Sequence, residues 1–201
     1  TSNSWHIWDE NSQALKDAID ISNPLFINAA GNSTYDMDVS IDYPTSYDLD
    51  NMLTIAATDH NDQLAYFSNY GLTTVDIGAP GLDIFSTFPP GACLDPATCC
   101  DNDGDGYGYC SGTSMACPHV AGLAALILSY NSTLDWSELK DVIMQSGDPN
   151  PNMDGKTVTD ARVNAYNALV EAGPAWVSLE EDGGVIIPGE SLDIRVTFDA
   201  T

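Results

Sequence analysis

The chain has 201 residues, 43% hydrophobic and 17% charged, a globular composition with room for one full core and the start of a second. Thirty acidic residues against five basic ones give a formal net charge of −25, a field that repels nucleic acid and anionic membranes and attracts cations. No apolar run is expected to cross a bilayer and no basic-then-apolar leader opens the chain; Thr1-Ser2-Asn3 and the alternating "RVTFDAT" read as ends cut from something longer.

In chain order, Gln13 to Ile21 puts Ala14, Leu15, Ala18 and Ile19 on one helical face, with Asn11 or Ser12 as cap and Asn23-Pro24 as terminator. "LFINAAGN" and "MLTIAAT" (Met52 to Thr58) are continuous apolar runs, the mark of strands buried on both faces. "TVDIGAPG" and "LDIFSTF" give two short strands around Ala79-Pro80-Gly81. Met115 to Tyr130 is a helix whose first half is nearly all small residues. Asp135 and Glu138 make a capping box for a helix with Leu139, Val142 and Ile143 on its apolar face, and Arg162 to Ala172 is a last helix stopped by Gly173-Pro174. Helices alternating with buried strands predict an α/β fold, a mostly parallel sheet with helices on both faces. Beyond Gly173 the pattern alternates around Gly-Gly and Pro-Gly turns, predicting the start of an all-β, sandwich-like domain over residues 174–201 after a first domain of 1–172.

The five cysteines divide unevenly. Cys93, Cys99, Cys100 and Cys110 share one loop, while Cys117 stands apart. Four loop cysteines without a nearby histidine point to disulfides and an oxidising compartment rather than to zinc, whose paired C-x-x-C spacing is missing. A bridge between neighbours Cys99 and Cys100 strains the geometry, which leaves Cys93–Cys99 with Cys100–Cys110, or Cys93–Cys100 with Cys99–Cys110. In the same loop Asp101, Asp103, Asp105 and Gly106 follow the opening of a calcium loop, D-x-D-x-D-G, but its twelfth position is Gly112 instead of a bidentate glutamate. Structural calcium there competes with a plain acidic turn.

"GTSMACPHVAG" (Gly112 to Gly122) sets a hydroxyl among small residues at a helix start, where free N–H groups and the positive dipole end stabilise developing negative charge. The longer run "SGTSMACPHVAGLAALIL" resembles the nucleophile signature of the subtilisin-like serine proteases. "FINAAGN", "YFSNYG" followed by "DIGAPG", and "ARVNAYNAL" agree in order, over roughly residues 1 to 172. The resemblance implies Ser114 as nucleophile, with the Asn32 side-chain amide and the Ser114 N–H as oxyanion donors. It implies that Ser4, Trp5 and His6 line the substrate cleft, with His6 where the family usually carries glycine. On the family pattern, the resemblance puts Asp42 in "SIDYPTSY" at the base of the primary specificity pocket, where a carboxylate favours lysine or arginine, and Asp76 near a secondary cation site.

The base is missing. His119 lies five residues beyond Ser114, about 140° around the helix, and is structural in the family; His60 is expected to be solvated in a polar turn. The order Asp, His, Ser along the chain puts both other triad members before Thr1. The implied protein is a secreted or cell-surface monomer acting on a protein or peptide substrate, the fragment alone being inactive; the alternative is a non-catalytic binding or adhesion module on the same fold. Of two glycosylation sequons, that of Asn32 would block the oxyanion donors, so Asn131 is the expected surface site.

Overall fold

A computed structural model of the chain describes residues 1–7, 11–22, 24–95, 99–100, 104–173, 177–179 and 196–198. The strands are β1 (Ser2–Asn3), β2 (Phe26–Ala29), β3 (Met52–Thr58), β4 (Ile77–Pro80), β5 (Ile84–Thr87), β6 (Cys93–Asp95), β7 (Cys99–Cys100), β8 (Tyr107–Cys110), β9 (Asp148–Pro149), β10 (Ala161–Arg162), β11 (Val177–Leu179) and β12 (Val196–Phe198). The helices are α1 (Gln13–Asp20), α2 (Thr113–Tyr130), α3 (Trp136–Gln145) and α4 (Ala165–Ala172).

The main sheet runs β1-β2-β3-β4-β10-β9, parallel throughout except for the β10–β9 pair. Every residue of β2 and β3 is buried, as their unbroken apolar runs require. The strand period of two sends Ile27, Leu53 and Ile55 to one face, against Val120, Leu123 and Ile127 of α2 and Leu139 and Ile143 of α3. Phe26 and Met52 point to the other, against Ile19 and Leu15 of α1. Helices therefore cover both faces.

Local chemistry explains most helix ends. The Ser12 hydroxyl caps α1 by accepting from Leu15 N at 3.3 Å. Only Leu15 and Ile19 of its expected face pack; Ala14 and Ala18 are exposed, too short to reach the sheet. The α3 capping box closes as expected, with Glu138 N donating to Asp135 Oδ1 and Asp135 N to Glu138 Oε2, both at 2.9 Å. α4 begins three residues later than expected, because the Asn164 side chain caps Asn167 N at 3.0 Å and Arg162 pairs in strand β10 instead. α2 begins two residues earlier than expected, which brings Ser114 inside the first turn. Contrary to the expectation that no apolar run is long enough, α2 is long and apolar enough by length and composition to cross a membrane. In this fold its Ala116, Val120, Leu123 and Ile127 stripe packs on the sheet as a core helix.

β5 leaves the main sheet and pairs with β8 in a small antiparallel sheet ordered β5-β8-β7-β6. Cys99 and Cys110 are bridged, which excludes the pairing of Cys93 with Cys99. Cys100 is also disulfide-bonded, and Cys93 is its register partner across β6 and β7. Cys117 is free and buried. Beyond Gly173 the described residues form one antiparallel pair, β11 with β12.

Candidate active site

Parallel strands deliver their carboxyl ends to one edge of the sheet, where α/β folds place ligands. Here β1 runs into Ser4-Trp5-His6, β2 into Gly31-Asn32, and β4 into Gly81. Gly112, the N-cap of α2, donates its N–H to Gly81 O at 2.7 Å, fixing the helix start at that edge. A Cβ on Gly81 would lie 2.6 Å from Ala57 Cβ and 2.8 Å from Gly112 O, so only glycine allows this approach.

Gly112 has no side chain to cap α2, and Asn32 takes part of that role. Thr113 N and Thr113 Oγ1 donate to Asn32 Oδ1 at 2.8 and 2.9 Å, while Thr113 Oγ1 accepts Gly31 N at 3.0 Å. Thr113 is 1% exposed, so this lock is internal. With its carbonyl committed twice, Asn32 is left with its amide Nδ2 as the free group; neither Nδ2 nor the Ser114 N–H meets an acceptor among the described residues. Both stand 3.5 Å from the point where a Cβ on Gly112 would be. Two unspent donors thus face one small space at the positive end of an 18-residue helix.

The other side of Ser114 is fixed by a proline. Pro118, inside α2, has no N–H to give the carbonyl four residues back, which is that of Ser114. The Ser4 hydroxyl donates to this orphaned oxygen at 3.0 Å, joining the strand segment after β1 to the helix. Trp5 packs edge-on to Phe26 with ring centroids 6.2 Å apart. His6 meets Asp42 through Nδ1, 3.0 Å from Oδ2 and 3.3 Å from Oδ1.

A residue not singled out from the sequence shapes the loop that carries Asn32. Asn69, 1% exposed, accepts Ser33 N and Tyr35 N on Oδ1 and donates Nδ2 to Ala30 O, each at 2.9 Å. It thereby holds the backbone on both sides of Asn32. Gly31 has φ 102°, and a Cβ there would collide with Asn69 Nδ2. Asn69 lies inside "YFSNYG"; a polar residue between aromatic ones in a motif of the resemblance was the available signal.

The remaining candidates lie elsewhere. His119 is exposed and its Nδ1 is 2.8 Å from Met115 O on its own helix; His60 is exposed and contacts the Asn61 amide at 3.2 Å. No histidine is hydrogen-bonded to Ser114 among the described residues. Asp101 and Asp103 lie outside the described residues; Asp105 Oδ1 accepts Tyr107 N at 2.8 Å. Gly112, the twelfth position of the expected calcium loop, is the N-cap of α2. Asp76 accepts Thr54 N at 2.6 Å; burial pushes its pKa up, opposed by the Lys140 charge and that N–H. Asn131 corrects an expectation: it is 9% exposed and its amide nitrogen donates to Ala172 O at 2.8 Å, so it is no surface glycan site. Asn32 is the exposed one of the pair.

Residues 1–169 match the model of the subtilase family, Peptidase S8. The chain belongs to the subtilase family. It is 42% identical over 126 residues to a thermophilic serine proteinase of Bacillus sp. (strain AK1), covering 63% of this chain and 26% of that protein. An extracellular basic protease of Dichelobacter nodosus is 36% identical over 169 residues, 80% of this chain and 26% of the relative. Thermitase of Thermoactinomyces vulgaris is 36% identical over 145 residues, 72% and 44% of the two chains. Among solved structures, a protease from Pseudoalteromonas arctica PAMC 21717 superposes with a TM-score of 0.63 at 24% identity, over 82% of this subtilase chain and 48% of its own, and shares the fold. The chain spans less than half the length of each of these four proteins.

Proposed function

We propose that this subtilase chain is the nucleophile-bearing part of a serine endopeptidase, with Ser114 as nucleophile and Asn32 Nδ2 and the Ser114 N–H as oxyanion donors. The observation that carries the reading is the pair of unspent donors flanking the Gly112 Cβ point beside Ser114. Ser114 Oγ attacks the carbonyl carbon of the scissile peptide, and the carbonyl oxygen takes the negative charge. Two N–H groups already oriented by the fold stabilise that charge without reorganising, each worth about 3–4 kcal/mol at the transition state. The proton leaving Ser114 needs a base; none of His6, His60 and His119 is bonded to Ser114, so the reading assigns the histidine and its aspartate to sequence preceding Thr1. The fragment alone is then inactive. The Cys99–Cys110 bridge supports an oxidising, extracellular setting for the parent protein, a monomer acting on protein or peptide substrates.

Two finer readings go with this one. The boundary near Gly173 separates the catalytic part from a β-sandwich domain, supported by the antiparallel pair that the described residues form beyond it. Calcium on Asp101, Asp103 and Asp105 suits hard oxygen donors at alternate positions; bound there it would supply structural cross-linking of the inserted loop. A chelator-dependent fall in Tm that Asp103→Asn with Asp105→Asn abolishes is the expected result.

The deciding test uses the full-length protein. A fluorophosphonate probe labels Ser114 alone, Ser114→Ala abolishes labelling, and Asn32→Ala lowers kcat about 10²–10³-fold with the fold intact. Labelling that survives Ser114→Ala refutes the assignment, and no labelling or hydrolysis at all favours the binding-module alternative.

A further inference from the structure

His6 and Asp42 form a contact that the endopeptidase reading does not use. Asp42 is 5% exposed, and its two carboxylate oxygens face one ring nitrogen at 3.0 and 3.3 Å. The His6 side chain, by contrast, is 40% exposed. An ionised carboxylate only accepts, so Nδ1 carries the hydrogen and donates, in either the neutral ring or the imidazolium. The backbone sets this meeting. Ile7 and Tyr43, the next residues on each side, exchange N–H to O bonds at 2.7 and 3.4 Å, and Asp42 N is held by Ser46 Oγ at 3.0 Å. Both partners are thus clamped before any substrate arrives.

The pair adjoins the reacting groups on two sides. Ser4, two residues before His6, is bonded to Ser114 O, which ties the segment carrying the ring to the helix turn of Ser114. On the other side, a Cβ on Gly31 would be 3.9 Å from Asp42 Oδ2, and Gly31 precedes Asn32. A substrate side chain next to a carbonyl held between Ser114 and Asn32 therefore approaches the Asp42 carboxylate past the His6 ring.

We propose that His6 is a specificity-determining residue that caps Asp42, so that the side-chain pocket beside Ser114 takes short neutral residues in place of lysine or arginine. The inference rests on the endopeptidase reading. A substrate guanidinium or ammonium would have to reach the carboxylate past the His6 ring, which already occupies both of its oxygens with one donated N–H, whereas a small side chain leaves the pair undisturbed. Removing the ring takes away its donated N–H and opens the approach to the carboxylate, so a charge-assisted hydrogen bond from the cationic substrate is then favoured.

The experiment measures kcat/KM on matched peptides with arginine or alanine before the scissile bond, using the full-length protein, His6→Gly, Asp42→Ser and the double variant. Fluorophosphonate labelling of Ser114 in each confirms a competent site. The arginine-to-alanine ratio rises about 10–100-fold in His6→Gly and falls back to the parental value when Asp42→Ser is added. In Asp42→Ser alone the ratio equals the parent's, which tests the cap without altering residue 6. A labelled His6→Gly with the parental ratio, a gain that persists in the double variant, or a parental arginine preference lost in Asp42→Ser each overturns the cap and leaves the endopeptidase reading intact. A parent protein that neither reacts with the probe nor hydrolyses peptides overturns both.

Discussion

Truncating Asn69 to alanine tests whether the loop carrying Asn32 is set by that one buried amide. The substitution removes the acceptor for Ser33 N and Tyr35 N and the donor to Ala30 O, three bonds of 2.9 Å. Each is worth about 0.5–1.5 kcal/mol net, so the variant loses roughly 2–4 kcal/mol and its Tm falls by about 5–12 °C. Ser33 N is the amide that follows Asn32, so the loss also frees the proposed oxyanion donor to wander. Because Thr113 still holds Asn32 Oδ1, the fall in kcat is smaller than for Asn32→Ala, about 10–100-fold against 10²–10³. The assay is steady-state hydrolysis by the full-length protein beside a thermal melt, for Asn69→Ala, Asn32→Ala and the double variant. If Asn69 acts through Asn32, the double variant is no slower than Asn32→Ala alone. An unchanged kcat in a folded Asn69→Ala variant, or fully additive losses in the double, refutes the reasoning.

Gly81→Ala brings a methyl within 2.6 Å of Ala57 Cβ and 2.8 Å of Gly112 O; the expected cost is about 1–3 kcal/mol in a denaturant titration, with slower probe labelling as the α2 start is displaced. Cys99→Ser with Cys110→Ser removes an 11-residue bridge and lowers stability by about 3 kcal/mol, and non-reducing peptide mapping of the parent protein should return Cys99 joined to Cys110. Asp76 has its pKa raised by burial, so the folded state holds that proton more tightly than the unfolded chain, and stability is lost as pH rises from the ordinary carboxylate range through the folded pKa. Asp76→Asn, which keeps an acceptor for Thr54 N, should therefore gain Tm over the parent as pH goes from 4 to 7; an advantage that is flat or shrinks with pH contradicts this.

The sequence by itself determined what short-range chemistry decides. Ser12 before an apolar face, Asp135 with Glu138, and the unbroken runs Phe26–Ala29 and Met52–Thr58 each carry their own cap or burial pattern, and each element formed where its pattern put it. The cluster of four loop cysteines was legible too, but its pairing was not, because two connectivities satisfy the same spacing and only the β7–β8 register puts Cys99 opposite Cys110. Ser114 and Asn32 stood out as members of motifs, yet their relation is a tertiary fact: Thr113, Gly31 and Asn69 connect segments some 30–80 residues apart by hydrogen bonds that no periodicity encodes. Asn131 shows the same limit from the other side, a sequon whose amide is consumed by Ala172, 41 residues further along the chain. His6 and Asp42 read separately as a departure in a cleft strand and a charge in a pocket; the bridge between Ile7 and Tyr43 makes them one unit. A side chain's own identity fixes its preferences, whereas its partner is fixed by which distant backbone the sheet register brings alongside, and that information belongs to the packed chain alone.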